Sequence, residues 1–600
     1  MSETSELPFR SQVPPEQTWN LERLFPSPVD WSSACDELVE LLPRIASYQG
    51  CLSDPQTLAD FLDLYQQAGA LEIKIWTYAQ NASAVDTTDQ SAVARVGQAG
   101  TLRAQYRSAA AFFNPELITI GFERLRFWIQ TTPRLAFLEH AVDRLETLQA
   151  HIRSDEVEQV LALASDPFSG VYTAYTLLNS ADLNFSPATS SEGAQLELSQ
   201  SSIDSLIAHS DREVRRTAWE NYADAYLGHK NTYTAIVMTS MKQDVFKMRA
   251  RGYNSSLQAA LSTYHIPEDV YRNVLSVFQA NLPTWHRYWR VRRRALGYSD
   301  LHVYDVESPL TSYQPFVPYR QAVDWICDGM APLGEEYVSI LRRGCLEQRW
   351  VDWARNKGKI EGAYSSGLYG TDPYILMSYS DDLVSLSTLA HELGHSMHTY
   401  HTQISQPYIY CDYGSFVAEV ASNFNQALVR EYLFRTQSER NFQIALIEEA
   451  MSNFHRYFFL MPTLARFELE VHTRLEQNEP INASILIDLM ADLFAEGYGG
   501  EMVFDRERLG ITWAQFVHLY MSFYVFQYAS GIAAAHALAK PILAGESGAA
   551  ERYLEFLRAG DSLYPLDALQ LAGVDLSKPE PIEQGFAYLS SLIDRLESLL

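Results

Sequence analysis

Apolar residues recur at spacings of three and four along most of the chain, which is the pattern of amphipathic α-helices. The pattern is clear over residues 58–80, 134–152 and 210–248, where we predict helices. The last of these begins with a capping-box sequence, because Ser210 precedes Glu213 by three residues. The chain is therefore predicted to have a mainly α fold.

Two segments interrupt this helical pattern. Residues 180–195 are rich in Ser, Asn, Pro and Gly, and residues 304–319 contain three prolines, so both are predicted to be irregular. We place a boundary at the first segment, which divides the chain into an N-terminal helical lobe of residues 1–190 and a second lobe of residues 191–600. No repeat of fixed period is visible, which argues against a helical solenoid.

Two further regions depart from simple amphipathic helices. Residues 358–379 combine spaced glycines with a β-prone run at 374–379, which predicts a small β-element just before a cluster of histidines. We interpret 374–379 as an edge strand that could pair with an extended peptide. Residues 509–539 lack Asp, Glu, Lys and Arg, but polar residues interrupt them, so they are predicted to form a buried helix and not a membrane span.

Charge and cysteine content restrict the classes of partner. The net charge of −28 opposes binding to nucleic acid and to anionic membranes. The five cysteines are scattered without CxxC spacing, which favours reduced structural thiols. The N-terminal residues show no basic segment followed by an apolar run, so no signal peptide is recognised and a cytoplasmic location is favoured.

The segment "HELGHSMHTYH" carries the strongest chemical signal. On a helix, His391 and His395 lie within about 40° of each other and one turn apart, so both imidazoles can hold one metal ion. Glu392 lies about 100° around the helix from His391, where it can accept a proton from water on the metal. This H-E-x-x-H spacing predicts a zinc site that needs a third ligand.

Two histidines nearby are weaker candidates for that ligand. His401 has the spacing of a metzincin ligand, but His398 stands where that motif needs a glycine to turn the chain. Without the turn, His401 stays helical and points away from the other two ligands. His398 shares their face but lies a turn further along, so it lines a pocket, joins a hydrogen-bond network or is simply structural.

Glu419 is the better third ligand. It lies in "GSFVAEVASNFNQALVREYL", a second predicted helix with a narrow polar stripe of Glu419, Ser422, Asn423 and Gln426 among apolar residues. An ionised glutamate buried there is costly unless a cation lies beside it. A His2Glu set with an open fourth position is typical of catalytic zinc. A core glutamate satisfied by other partners is the alternative.

Several of these segments together resemble one family. "GAYSSG", "HELGHSMH", "FVAEVASNFNQAL", "WNLERLFPS" and "HLYMSFYVFQYASGIAAAHALA" look like oligoendopeptidase F of the thimet-oligopeptidase superfamily. The resemblance covers nearly the whole chain. It implies a two-lobed helical zinc peptidase whose deep substrate channel admits short unfolded peptides, with residues 191–600 as the catalytic lobe.

Carried onto this sequence, the resemblance makes His391, His395 and Glu419 the ligands of one zinc ion and Glu392 the base. The expected function is then hydrolysis of short oligopeptides by Glu-assisted attack of zinc-bound water. One departure is Gln426, where the family usually has an acidic residue, and this puts a supporting contact in doubt.

The resemblance also implies that His518, Tyr524 and Tyr528 contact the substrate and the transition state. Tyr524 and Tyr528 are four residues apart, which places them on one face of the predicted helix. From the residues alone, ordinary buried aromatic side chains explain them equally well.

Two other functions remain open from the sequence. A non-catalytic scaffold with a vestigial metal site would be expected to lose its base, but Glu392 is present. A zinc carboxypeptidase of similar helical build would need a cationic group for the terminal carboxylate of its substrate, and Arg355, Lys357 and Lys359 are candidates. Oligomeric state and sequence preference are not predicted.

Overall fold

A computed structural model describes residues 7–600. The first six residues, which belong to the segment in which we recognised no signal peptide, lie outside the described residues. Most described residues are helical, so the predicted mainly α fold is confirmed. Within residues 7–600, no helix has the length and apolar character needed to cross a membrane. All five cysteines are free thiols.

The helices follow one another along the whole described chain. The first thirteen are α1 (Pro28–Ala46), α2 (Pro55–Ala84), α3 (Gln90–Ala109), α4 (Phe113–Ile120), α5 (Phe122–Thr131), α6 (Glu139–Gln149), α7 (Asp155–Leu177), α8 (Ile203–Ile207), α9 (Arg212–Gly228), α10 (Lys230–Arg251), α11 (Ser256–Ser262), α12 (Glu268–Ala280) and α13 (Leu282–Leu296). The others are α14 (Tyr319–Gly329), α15 (Glu335–Leu346), α16 (Leu383–Ser405), α17 (Ser415–Thr436), α18 (Arg440–His455), α19 (Met461–Glu476), α20 (Ala483–Tyr498), α21 (Arg506–Gly510), α22 (Phe526–Leu543), α23 (Ala549–Ala559), α24 (Pro565–Leu571) and α25 (Glu580–Leu599).

The strands are short and form three small sheets. They are β1 (Ala188–Thr189), β2 (Gln195–Leu196), β3 (Leu301–His302), β4 (Val351–Asp352), β5 (Tyr364–Ser366), β6 (Tyr374–Leu376) and β7 (Met502–Val503). β1 pairs with β2, β3 pairs with β7, and the third sheet has the order β4-β6-β5. In that sheet β6 is parallel to β4 and antiparallel to β5.

The chain divides into two compact units, each made of three segments. Unit 1 contains Met1–Ala150, Phe316–Leu433 and Leu538–Gly573. Unit 2 contains His151–Pro315, Phe434–Ala537 and Val574–Leu600. The division predicted from the sequence is a single one, between contiguous lobes of residues 1–190 and 191–600, and it stays a prediction.

The helix boundaries confirm one predicted span and correct two others. Residues 58–80 lie inside α2, as predicted. The single helix predicted over 210–248 is wrong, because α9 ends at Gly228 and α10 begins at Lys230. The capping box at Ser210 is also wrong: Asp211 is the N-cap, and its carboxylate accepts the Glu213 N–H at 2.9 Å.

Over residues 134–152 the helix is shorter than predicted. A 3₁₀ segment, Pro133–Leu138, precedes α6. The proline-containing segment 304–319 is irregular, as predicted, between a short 3₁₀ turn at Val303–Asp305 and the start of α14.

The uncharged residues 509–539 do not form one helix, so that prediction is wrong. They form the end of α21, two 3₁₀ segments (Ile511–Gln515 and Val517–Tyr520), a turn and then α22. Phe516 and Met521 are extended, and Phe523 has a left-handed φ of 50°, which no continuous helix permits. Tyr524 therefore precedes α22, whereas Tyr528 lies within it.

The small β-element predicted before the histidine cluster is present, but its strand is not an edge. β6 begins at Tyr374, as predicted, and ends at Leu376. It pairs with β4 on one side and β5 on the other, so both of its hydrogen-bonding edges are occupied. Residues 374–379 consequently cannot add a peptide strand, and this interpretation is wrong.

A buried ionic cluster joins the β4-β6-β5 sheet of unit 1 to Arg10. Asp352 of β4 is fully buried and forms a salt bridge with Arg10 and another, at 2.8 Å, with Lys359. Lys359 also donates to the backbone carbonyls of Asp352, Ala354 and Met377 at 2.6–3.0 Å. These contacts join Arg10 to β4 and, through Lys359, β4 to the residue that follows β6.

Candidate active site

Two helices of unit 1 bring His391, His395 and Glu419 together. Both histidines lie on α16, and Glu419 lies on α17. Oε2 of Glu419 is 3.4 Å from Nε2 of His391 and 3.9 Å from Nε2 of His395. One ligand atom from each of the three residues lies within 4.8 Å of the others. Three such donors, each half-buried, form an open arrangement that fits a catalytic zinc ion.

A glycine permits the close approach of these two helices. A Cβ placed on Gly394 of α16 would lie 2.4 Å from the backbone oxygen of Ala421 and 2.6 Å from Cα of Ser422. Any side chain there would push α16 and α17 apart. The glycine between Glu392 and His395 thus allows Glu419 to reach the histidines.

The opposite face of α16 is its core face. Leu386, Leu389, Leu393 and Met397 are all at most 2% exposed. Asp382 caps the helix by accepting the Ser385 N–H at 2.7 Å. This packing fixes the rotation of α16 and so presents both ligand histidines on the other side.

The supporting contact that the sequence put in doubt is present. Nδ1 of His391 lies 3.2 Å from Oε1 of Gln426, and Nε2 of Gln426 donates to Oγ of Ser387 at 2.8 Å. An amide oxygen only accepts, so Nδ1 carries the hydrogen and Nε2 keeps its lone pair for a metal. Gln426 is thus a neutral partner where the family pattern has an acid.

The other two ligands also have fixed orientations. The His395 ring is hydrogen-bonded to the backbone of Ala418. The Ser422 hydroxyl donates to Oε2 of Glu419 at 2.9 Å. Burial lowers the pKa of His395 to about 4, so this imidazole is neutral at neutral pH, as a ligand must be.

Glu392 is almost completely buried beside the ligands. Burial raises its pKa to about 7; the charge of His391 opposes this shift and that of Glu419 adds to it. Its carboxylate is hydrogen-bonded to the backbone of Ser365 in β5. The Ser365 hydroxyl also bonds Ser396 of α16 at 2.8 Å, so β5 lies directly against this helix.

The two remaining histidines of the motif do not join the cluster. His398 is buried and stacks on Tyr413, with ring centroids 3.7 Å apart. His401 stacks on Tyr337 with ring centroids 5.7 Å apart, and α16 continues past it to Ser405. The geometry gives no support to a metzincin arrangement, since the helix does not turn back at position 398.

His518, Tyr524 and Tyr528 come together in unit 2. The centroids of the three rings are 5.5–6.1 Å apart. Oη of Tyr528 lies 3.3 Å from Nε2 of His518. Burial, with a smaller effect of the Arg456 charge, lowers the pKa of His518 to about 4, so its ring is neutral at neutral pH. Their roles stay predictions.

Sequence reasoning missed three residues that support these groups. Tyr413 stacks on His398 and donates to the backbone oxygen of His395 at 3.2 Å. Ser365 bonds Glu392 from β5. Tyr457 stacks in parallel on Tyr528 at 5.0 Å. The position of Tyr413, an aromatic residue just before α17, could have indicated it from the sequence. Tyr457 lies in a π-helical segment, Arg456–Leu460, which the periodicity of an α-helix does not reveal.

Two family models match parts of this chain. Residues 205–588, well over half of the chain, match the model of Peptidase family M3. The chain belongs to peptidase family M3. Residues 116–185 additionally match the model of Oligopeptidase F. As an M3 family member the chain is a peptide hydrolase, and the resemblance stated from the sequence is confirmed.

Relatives of this M3 peptidase span its full length. Oligopeptidase PepF of Bacillus subtilis (strain 168) is 37% identical over 601 residues, which cover 99% of this chain and 89% of that protein. The crystal structure of oligoendopeptidase-F from Enterococcus faecium is 28% identical, with a TM-score of 0.73, and covers 95% of this chain and 98% of that one. A crystal structure of a peptidase from Chlamydophila abortus is 30% identical, with a TM-score of 0.89, and the match covers 99% of this chain and 100% of that one.

Proposed function

We propose that this M3 peptidase is a zinc-dependent endopeptidase that cleaves short oligopeptides. The convergence of two Nε2 atoms and one carboxylate oxygen within 4.8 Å carries the proposal. A metal ion held by His391, His395 and Glu419 would supply Lewis acidity and would lower the pKa of a bound water to about 7.

Glu392 has the properties of the proton acceptor in this reaction. Its buried carboxylate lies next to the ligand histidines, and burial raises its pKa toward neutrality. A base with a pKa near the working pH takes a proton in the attack on the peptide carbonyl and can return it to the leaving amine. The Ser365 backbone contact holds the carboxylate in place.

His518, Tyr524 and Tyr528 are proposed as the donors to substrate and transition state. Because His518 is neutral, one of its ring nitrogens donates a hydrogen bond and the other accepts one, and its Nε2 shares a hydrogen bond with the Tyr528 hydroxyl. A hydroxyl donor aimed at the developing oxyanion contributes on the order of 3 kcal/mol of transition-state stabilisation.

β5 replaces 374–379 as the proposed strand for backbone pairing. It lies at the edge of the β4-β6-β5 sheet and is hydrogen-bonded to α16. An extended peptide that joins such an edge gains main-chain hydrogen bonds with little dependence on sequence. This accounts for a preference for unfolded segments; the exclusion of folded proteins by a channel stays an expectation from the resemblance.

The carboxypeptidase alternative requires an accessible cation, and one of its three candidates, Lys359, is buried. Lys359 is 2% exposed in its side chain, and its ammonium is surrounded by Asp352 and three backbone carbonyls. It is therefore not available to hold the terminal carboxylate of a substrate. Arg355 bonds the Ser380 hydroxyl, and Lys357 lies over the Phe9 ring at 4.6 Å.

A peptide blocked at both ends tests the proposal. We expect the purified protein to contain about one zinc per chain, to cleave the blocked peptide internally and to lose activity when a chelator removes the metal. Full activity in a metal-free preparation would refute the metal dependence. Failure to cut the blocked peptide, with release of C-terminal residues from its unblocked form, would favour the carboxypeptidase.

A further inference from the structure

We propose that Glu468 is a positioning residue that holds the turn at residues 521–525, and through it the contacts among His518, Tyr524 and Tyr528. The consequence for catalysis rests on the proposed function, because it requires that these three side chains contact the substrate. The structural part of the inference stands on unit 2 alone.

The turn has a backbone conformation that its own sequence does not favour. Phe523 is a non-glycine residue with a φ of 50°, where its Cβ crowds the backbone. The Tyr524 N–H donates to the Met521 carbonyl at 3.0 Å, and the Tyr524 carbonyl accepts the Gln527 N–H at 3.1 Å. The same few residues therefore place Tyr524 and start the helix that carries Tyr528.

A buried carboxyl group stabilises this conformation. Oε1 of Glu468, on α19, accepts the Phe523 N–H at 2.7 Å. Glu468 and Phe523 are 0% and 1% exposed. A backbone N–H buried at that depth needs a hydrogen-bond acceptor. The N–H of the left-handed Phe523 finds its acceptor in the Glu468 side chain, 55 residues away in the sequence.

Neighbouring side chains hold Glu468 and Phe523 in place. His472 lies one turn along α19, its ring is 4.6 Å from the Phe523 ring, and it is 3.4 Å from Asp244 of α10. Tyr271 of α12 packs on Phe523 at 5.6 Å. The turn thus packs against α19 and α12, α10 contacts His472, and Glu468 supplies a polar contact to the turn.

Complete burial makes a carboxyl group costly at position 468, so packing alone does not explain it. Burial raises its pKa to about 8, against the smaller opposing effects of His472 and the Phe523 N–H, while Asp244 adds to the rise. Its second oxygen is buried without a hydrogen-bond partner among the described residues. An apolar side chain of the same length would fill this volume at lower cost, so the feature that distinguishes Glu468 is its acceptor for the strained turn.

The test compares Glu468→Met with Glu468→Gln. Methionine fills a similar volume without an acceptor, whereas glutamine keeps an oxygen that accepts and cannot ionise. We expect Glu468→Met to lower kcat by about 10-fold or more with little change in KM, and Glu468→Gln to restore most of it. Equal kcat in both variants and the wild type would overturn the catalytic part of the inference.

Hydrogen exchange separates this inference from the proposed function. In wild type the Phe523 amide should exchange slowly although it lies in a turn, and in Glu468→Met it should exchange faster while α19 and the zinc content stay unchanged. Fast exchange of this amide in the wild-type protein would overturn the inference, whether or not the methionine variant folds. If the Phe523 amide exchanges slowly in the wild type and fast in Glu468→Met, but kcat is the same, the contact between Glu468 and the turn is supported. The proposed catalytic role of the two tyrosines is then refuted.

Discussion

The His–His–Glu cluster of unit 1 and the His–Tyr–Tyr cluster of unit 2 are built in different ways. His391, His395 and Glu419 project from two regular helices at spacings that the α-helix itself sets. Tyr524 lies on a turn that contains a left-handed Phe523 and depends on Glu468. Regular structure thus fixes the proposed metal ligands, and long-range buried contacts fix the proposed donors.

We expect the largest effect on kcat from a change at Glu392, the proposed general base in unit 1. Glu392→Gln keeps the shape of the side chain and leaves the ligands intact, so we expect it to bind zinc normally and to lower kcat by about 10²-fold or more. Metal analysis and steady-state kinetics check both points. Glu583→Gln, an exposed change, is the control, and normal turnover by Glu392→Gln would show that the base is misassigned.

The matching change in unit 2 is Tyr528→Phe. Loss of one donor to the oxyanion should lower kcat by up to about 10²-fold with little change in KM, because the hydrogen bond forms in the transition state. Kinetics and the melting temperature separate this role from packing. The exposed Tyr172→Phe should change neither, and an unaltered kcat in Tyr528→Phe would remove this hydroxyl from the mechanism.

Those two clusters also differ in how far the sequence could predict them. The three-and-four periodicity located His391 and His395, and the polar stripe on the second helix located Glu419. The absence of charged residues was misleading for residues 509–539, because the break at Phe523 is stabilised by a carboxyl group from a distant helix. The pairing of β6 on both sides was missed for the same reason, since strand partners are not encoded locally.

A smaller effect is expected at the residue that orients His391. Gln426→Leu removes the acceptor for Nδ1 while it keeps the side-chain volume, so we expect zinc affinity to fall by about 10–100-fold with an intact fold. Competition with a chromogenic chelator measures this. Gln443→Leu, at a buried glutamine that donates to the Phe434 carbonyl, is the matched control. Equal affinity in both variants would mean that Gln426 does not support the ligand.

A separate effect, on stability and not on catalysis, is a dependence on pH from the buried acid of unit 2. The pKa of Glu468 is raised from 4.5 to about 8 in the folded chain, so the folded state holds this proton more tightly than the unfolded state. Its contribution to stability is then complete below about pH 4.5 and is lost as the pH rises toward 8. Urea unfolding between pH 5 and 8 should show a smaller loss in Glu468→Gln than in wild type; parallel curves would contradict the raised pKa.

The ionic cluster of Arg10, Asp352 and Lys359 has a consequence for synthesis on the ribosome. Arg10 is translated before its partner Asp352, which lies 342 residues further along the chain. The third segment of unit 1, Leu538–Gly573, is translated later still. The Arg10 side chain must therefore stay solvated until Asp352 and Lys359 have been made, and unit 1 is complete only when its third segment follows. A nascent chain that stops before residue 538 would lack that segment, although it already contains most of the residues of unit 1.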